Sequence, residues 1–201
     1  PGEKVVLAGS RPLLGTWRRV RDQLWVISLP EARAGGWIFR SLFRGGQSLP
    51  RAREPDRGHF TVADVSEERR RLTLYQPLAT EWVGLSGVEI NTIAHWHFNR
   101  QPAAEISTKS VAGRRGIGTD VSSARITTKS HSRVWLENAL VFADSPGEWF
   151  LDTVAGDIYL FAAPSEDPNQ STFSAPVLRE LVVLRGAADK MVRNVQFRGI
   201  E

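Results

Sequence analysis

Cysteine is absent from this sequence. That removes disulfides, thiol nucleophiles and Cys-ligated zinc together, and it leaves the compartment open. No apolar run approaches the roughly 20 residues of a membrane span, so no membrane partner is expected. The opening PGEKVVLAG lacks the basic start and apolar stretch of a secretory leader. It begins with Pro1 rather than Met, which fits a piece of something longer. Helical periodicity is nearly absent; the best candidate is a short turn around Pro30 to Gly35. Neither sign of charge dominates, with 26 basic residues, 22 acidic residues and a net charge of +4. The densest basic spots, Arg18, Arg19 and Arg21 and then Arg69 to Arg71, are broken by Asp22, Glu31, Glu67 and Glu68. A nucleic-acid surface needs a continuous basic face with aromatics between, so no nucleic-acid partner is expected. GRRGIG, Gly113 to Gly118, follows no apolar strand and carries no Lys-Ser or Lys-Thr pair, and no serine nucleophile elbow is present. No cofactor is indicated.

What is there is β-forming and aromatic. Apolar residues make up 41% of the chain and there are seven Trp, the composition of a globular protein with a real core. Runs of β-formers recur along the chain: KVVLA, LWVISL, IFRSLF, HFTVADV, RLTLYQ, VEINTIAHWHF, ARITTKS, RVWLENA, LVVLRG and RNVQFRGI. Two hairpins carry their own turn chemistry. LFRGGQSL places Gly45-Gly46 at its tip. GEWFLDTVAGDIYLF joins two apolar runs through Asp152 and Gly156. There Asp can bond backbone amides ahead of it and Gly can take a positive φ. Neither run of this second hairpin alternates cleanly, so both of its faces must be covered.

The two ends repeat each other. KVVLAG at Lys4 to Gly9 and LVVLRG at Leu181 to Gly186 are nearly the same string. VRNVQFRGI, Val192 to Ile200, reads as a third such rung, with Asn194 at a turn. Strands buried by stacked copies of themselves are the units of a β-solenoid. The expected layout is therefore a solenoid strand over 1–12, an all-β sandwich or barrel-like insertion over 13–176, and a returning solenoid over 177–201. Val5 to Leu7 and Val182 to Leu184 should then lie side by side as parallel strands.

Several ordered motifs resemble the insertion domain, with its flanking strands, of bacterial right-handed parallel β-helix proteins of the glycoside hydrolase family 141 type. VVLAGSRPLLGTWRRV with LWVISLP resembles the way into that domain. LFRGGQSLPRAREP resembles its hairpin leading to Arg51-Ala52-Arg53-Glu54-Pro55. VEINTIAHWHFNR resembles its long central strand. VWLENA, SPGEWFLDTVAGDIYLFAAPSEDPN and LVVLRG with VRNVQFRGI resemble the way out. The resemblance implies a carbohydrate-active parent, a glycoside hydrolase whose poly- or oligosaccharide substrate is met through the β-helix. It also implies an extracellular or periplasmic location, and catalytic carboxylates further along the β-helix than Glu201. On that reading the chain alone is not catalytic. An autonomous carbohydrate-binding module and a structural spacer are the alternatives.

Within the chain, glycoside hydrolysis would need two facing carboxylates. Glu148, Asp152 and Asp157 are the nearest set, but Asp152 and Asp157 have ordinary turn duties, and no catalytic residue is assigned. His95-Trp96-His97 is expected on one long strand, with Trp96 and Phe98 on the core side and His95 and His97 on the other. Two such His could bind metal only with a third ligand; none is identified. Otherwise they are exposed or inter-domain polar residues, or they face the β-helix and border its substrate cleft, where a ring nitrogen could bond a sugar hydroxyl. Arg51 and Arg53 share a strand face and could clamp a uronate carboxylate, or else pair with nearby acids. Trp82, outside any clear strand, is the candidate exposed Trp for stacking on a sugar. The candidate substrate-binding residues are therefore His95, His97, Arg51, Arg53 and Trp82. Bare terminal strands would also invite self-association.

Overall fold

A computed structural model describes residues 6–66, 70–94, 97–113 and 132–199. The all-β class expected from the sequence holds. Among the described residues, helical structure is confined to short 3-10 turns, the longest at Pro30–Gly35. No helix there is long and apolar enough to cross a membrane.

The first five strands are β1 (Ser10–Pro12), β2 (Arg18–Arg21), β3 (Leu24–Ser28), β4 (Leu42–Arg44) and β5 (Gln47–Leu49). The next seven are β6 (Arg53–Glu54), β7 (Phe60–Val65), β8 (Arg71–Leu74), β9 (Glu89–Ala94), β10 (His97–Ile106), β11 (Ser110–Gly113) and β12 (Arg133–Glu137). The last three are β13 (Trp149–Asp152), β14 (Asp157–Phe161) and β15 (Phe173–Pro176). β6 to β12 form one antiparallel sheet in the order β6-β12-β7-β8-β11-β10-β9. β12 also pairs with β9, from Arg133↔Ile93 to Glu137↔Glu89, and this closes the sheet into a small barrel. Closure leaves few exposed edges. Val62, Leu72, Val88, Ile90, Val111, Val134, Leu136 and Phe142 fill its core.

The remaining strands form two four-stranded sheets, β1-β15-β4-β5 and β13-β14-β3-β2. Trp25, Ile27, Leu42, Trp149, Leu151, Ile158, Leu160 and Phe173 make a second core shared by both sheets. The chain thus begins in this sandwich, builds the barrel, and returns to the sandwich.

Both expected hairpins form. Gly45 and Gly46 take φ of 55° and 84° between β4 and β5. In the other, Asp152 Oδ1 accepts from the amides of Val154 at 2.8 Å and Ala155 at 2.9 Å, and Gly156 takes a φ of 73°. Its apolar residues are divided between two cores, which explains the lack of alternation. Trp149, Leu151, Ile158 and Leu160 enter the sandwich, while Phe150 and Phe161 pack against the barrel cluster.

The ends differ from expectation. Val5 lies outside the described residues, and 6–9 and 181–199 form no strand ladder; an isolated bridge joins Ala187 and Lys190. A ladder needs a neighbour to pair with, and the parallel pairing of Val6 and Leu7 with Val182 to Leu184 is not made. The ends do meet at Gly9, antiparallel rather than parallel. Ser10 pairs with Pro176, and the amides of Val177 and Leu178 both donate to the Gly9 carbonyl, at 2.8 and 3.0 Å. ARITTKS lies outside the described residues.

Candidate functional site

The expected long strand around His95 is two strands. β9 ends at Ala94 and β10 starts at His97, paired with it, so that Phe98 lies opposite Ile93 and Arg100 opposite Asn91. The reversal moves Phe98 off the core side. It shares the outer face of the barrel with Glu89, Asn91 and Arg100, and is 50% exposed. β12 adds Trp135 and Glu137 to this face opposite Asn91 and Glu89, and β6 adds Arg53 opposite Glu137. His95 lies outside the described residues, and so does the side chain of His97.

This outer face is polar yet largely covered. Glu89 is 9% exposed and Asn91 is fully buried. Arg51 donates to Glu89 Oε2 at 2.6 Å and to Asn138 Oδ1 at 2.6 Å, and lies 3.4 Å from Glu137 Oε2. Arg40 donates to the same Glu89 oxygen. Burial pushes the Glu89 carboxyl up, but Arg40 and Arg51 outweigh it and hold the group below the usual carboxylate range. Trp135 Nε1 donates to Glu137 Oε1 at 2.6 Å. Arg100 donates through Nε to Asn91 Oδ1 at 2.8 Å. Burial and the charge of Arg40 lower the pKa of Arg100 despite Glu137 and Glu89. Asn91 Nδ2 and Arg51 Nε are buried without a hydrogen-bond partner among the described residues.

Rings and guanidinium groups lie together on the surface of this face. Phe98 and Trp135 stack with centroids 5.8 Å apart and planes 27° apart. The Arg53 guanidinium lies over Trp135 at 5.0 Å and that of Arg100 over Phe98 at 5.1 Å, within cation–π range. Arg53 otherwise donates to the carbonyls of Pro55, at 3.0 Å, and Gly58, at 2.8 Å. Arg51 and Arg53 therefore do not work as one clamp. Arg51 is tied to the acids beneath, while Arg53 meets no carboxylate among the described residues. Sequence reading missed Arg40, Phe98, Arg100 and Trp135. The available signal was the alternation in RVWLE, which puts Trp135 and Glu137 on one face.

Trp82 is not a free surface ring. It is half-buried and packs edge-on against Phe142 at 5.3 Å and Phe60 at 6.4 Å.

Glu148, Asp152 and Asp157 do not assemble either. Asp152 is occupied by its turn, and Asp157 lines an open cleft of about 420 Å³ with Trp17, Arg18 and Val26. Glu148 is buried and accepts long bonds, 3.3 to 3.4 Å, from the amides of Arg53, Asp144 and Ser145. Separately, carboxylate oxygens of Glu54, Asp56 and Asp144 lie within 4.8 Å of one another. Burial, then the charges of Asp144 and Asp56, push Glu54 up to about 7. Burial, helped by Asp56 and opposed by backbone amides, pushes Glu148 up to about 7.

No family model matches the sequence. No curated protein matches it either. A solved structure named glycoside hydrolase shares the fold, with a TM-score of 0.71 and 22% identity over 96% of this chain. The chain spans 35% of the length of that structure. The likeness establishes a glycoside hydrolase-like all-β fold for this chain.

Proposed function

We propose that the chain is an accessory β domain inserted in a right-handed parallel β-helix protein of the glycoside hydrolase family 141 type. It leaves the solenoid at 1–12, rejoins it at 177–201, and is not itself the catalyst. The observation that carries this reading is the convergence of the two ends on Gly9 beside uncovered apolar side chains. A side chain at Gly9 would press on Leu181 Cδ1 at 3.2 Å and Leu178 Cβ at 3.5 Å. Beyond that point Leu181, Val182, Val183 and Leu184 are each roughly half exposed, as are Val195 and Phe197. Consecutive apolar residues bare on both faces do not suit an ordinary surface strand. They suit a rung whose cover comes from neighbouring coils. The shared fold, matched to about a third of a longer glycoside hydrolase, supports the same reading. Carbohydrate, met through the parent β-helix, is the partner.

The rival reading, an autonomous module that stacks sugars on exposed Trp, has less support. Trp17, Trp25, Trp37 and Trp149 are buried, and Trp82 and Trp135 are half-buried. The test is twofold. The reading frame around this segment should continue into Asn- and Gly-rich β-helix repeats on both sides. The purified chain should give no turnover on aryl glycosides or polysaccharides. A frame without such repeats, or turnover abolished by Glu148→Gln or Asp152→Asn, would overturn the proposal.

A further inference from the structure

The outer face of the barrel holds more positive charge than it uses. Arg40, Arg51, Arg53 and Arg100 converge there, and Arg133 shares the same face opposite Ile93. Among the described residues two carboxylates stand against them, and both accept from this cluster. Glu89 Oε2 serves Arg40 and Arg51, and Glu137 serves Trp135 Nε1 and Arg51. Arg100 reaches Glu89 Oε2 only at 3.8 Å, an oxygen already taken twice. Arg53 meets two carbonyls and the Trp135 ring, and no carboxylate among the described residues. Like charges gathered at a half-buried surface repel one another, and a bound anion relieves that repulsion. Burial first, and then the charges of Arg40 and Arg51, lower the pKa of Arg100.

The two under-used guanidinium groups lie against an aromatic pair. Arg53 over Trp135 and Arg100 over Phe98 bracket rings that stack on each other, with Phe98 half exposed. The ring faces are taken up by this stacking, so the surface offers apolar ring edges between planar donors. A small inorganic anion uses only the donors. A sugar acid uses both, since its carboxylate matches a guanidinium bidentately and its C–H surface lies on ring edges.

We propose that this face is a subsite for an acidic saccharide, a uronate whose carboxylate is held by Arg100 beside Phe98, with Arg53 beside Trp135 placed to meet a second uronate further along the same chain. The inference rests on the carbohydrate reading above and deepens it. In the parent protein it would select acidic chains without taking part in bond cleavage.

Titration calorimetry on the whole chain tests it, with three probes: de-esterified oligogalacturonate, the same oligomer methyl-esterified, and dextran sulfate fragments. The acid oligomer should bind, and the ester should bind at least about tenfold more weakly, the size of one charge-assisted hydrogen bond. Arg100→Gln should lose about tenfold on the acid oligomer, with Arg100→Lys retaining part of it, because charge without the planar fork is a partial substitute. Phe98→Ala, at an exposed position where folding is not at stake, should weaken the uronate but leave dextran sulfate unchanged. Thermal melting of each variant shows that it is folded. Equal binding of acid and ester would overturn the subsite while leaving the accessory-domain proposal standing. Absence of binding to the acid oligomer would overturn the subsite as well. Binding of dextran sulfate and oligogalacturonate alike, indifferent to Phe98→Ala, would reduce the face to general attraction for polyanions and also overturn it. Failure of the accessory-domain reading is read separately, from the flanking reading frame.

Discussion

At the scale of single residues, the buried acids are where charge and stability meet. Glu148 and Glu54 each have a carboxyl raised from 4.5 to about 7. Between those values the folded chain holds protons that the unfolded chain has released. The two groups therefore favour folding at low pH and lose that advantage as pH rises toward about 7. Glu89 works in the opposite sense. Its carboxyl is held below the usual range, so its contribution is present above the unfolded pKa and fades as pH falls through the folded one. Stability should accordingly peak in mild acid. Thermal melting of the whole chain should show Tm falling between about pH 5 and about pH 8. Glu148→Gln, which resembles the protonated acid, should raise Tm at the upper end, change little at the lower, and flatten the slope. A Tm that climbs with pH over this range would show that the burial of Glu148 does not have the assigned effect.

At the scale of elements, the hairpins were legible because their information is local. Asp152 and Gly156 sit within one turn, and each residue type suits what it does there. Asp152→Ala removes the carboxylate oxygen that accepts from two amides at a half-buried turn and should cost about 1 kcal/mol. Gly156→Ala places a Cβ at positive φ, 2.7 Å from Arg33 Cγ and 3.1 Å from the Leu29 carbonyl oxygen. It should cost about 2 kcal/mol or more. Urea unfolding checks both, and equal losses for the two variants would refute the stated ranking. Barrel closure was not legible. The pairings of β12 with β9 and β7 join segments about 40 and 70 residues apart, with no local signal at either partner. The reversal between Ala94 and His97 was hidden for a related reason. It carries no Gly, Pro, Asn or Asp, so VEINTIAHWHF read as one strand and Phe98 was put on the wrong face. Arg51 and Arg53 were found by type and spacing. What divides them, the acids under one and the ring under the other, arrives from distant strands.

At the scale of the whole molecule, the folded part and the ends obey different rules. The barrel and sandwich each close over their own core, and the last strand of the sandwich ends at Pro176. After it come Val177, Leu178, Leu181 to Leu184, Met191, Val192, Val195 and Phe197, all between 44% and 62% exposed. In water such a stretch has unpaired backbone groups and bare apolar side chains, the two ingredients of intermolecular strand pairing. The isolated chain should self-associate through this segment, because another copy is the readiest source of cover in solution. A version ending at Glu180 keeps every strand of both cores and should be monomeric, with an unchanged melting transition. Light scattering on the two, over a range of concentrations, decides it. Association that persists after the cut would move the contact to another surface. A 201-residue chain that stays monomeric, with amides 181–199 protected from hydrogen exchange, would mean that these residues find their cover within the chain. The accessory-domain proposal would then lose the observation that carries it.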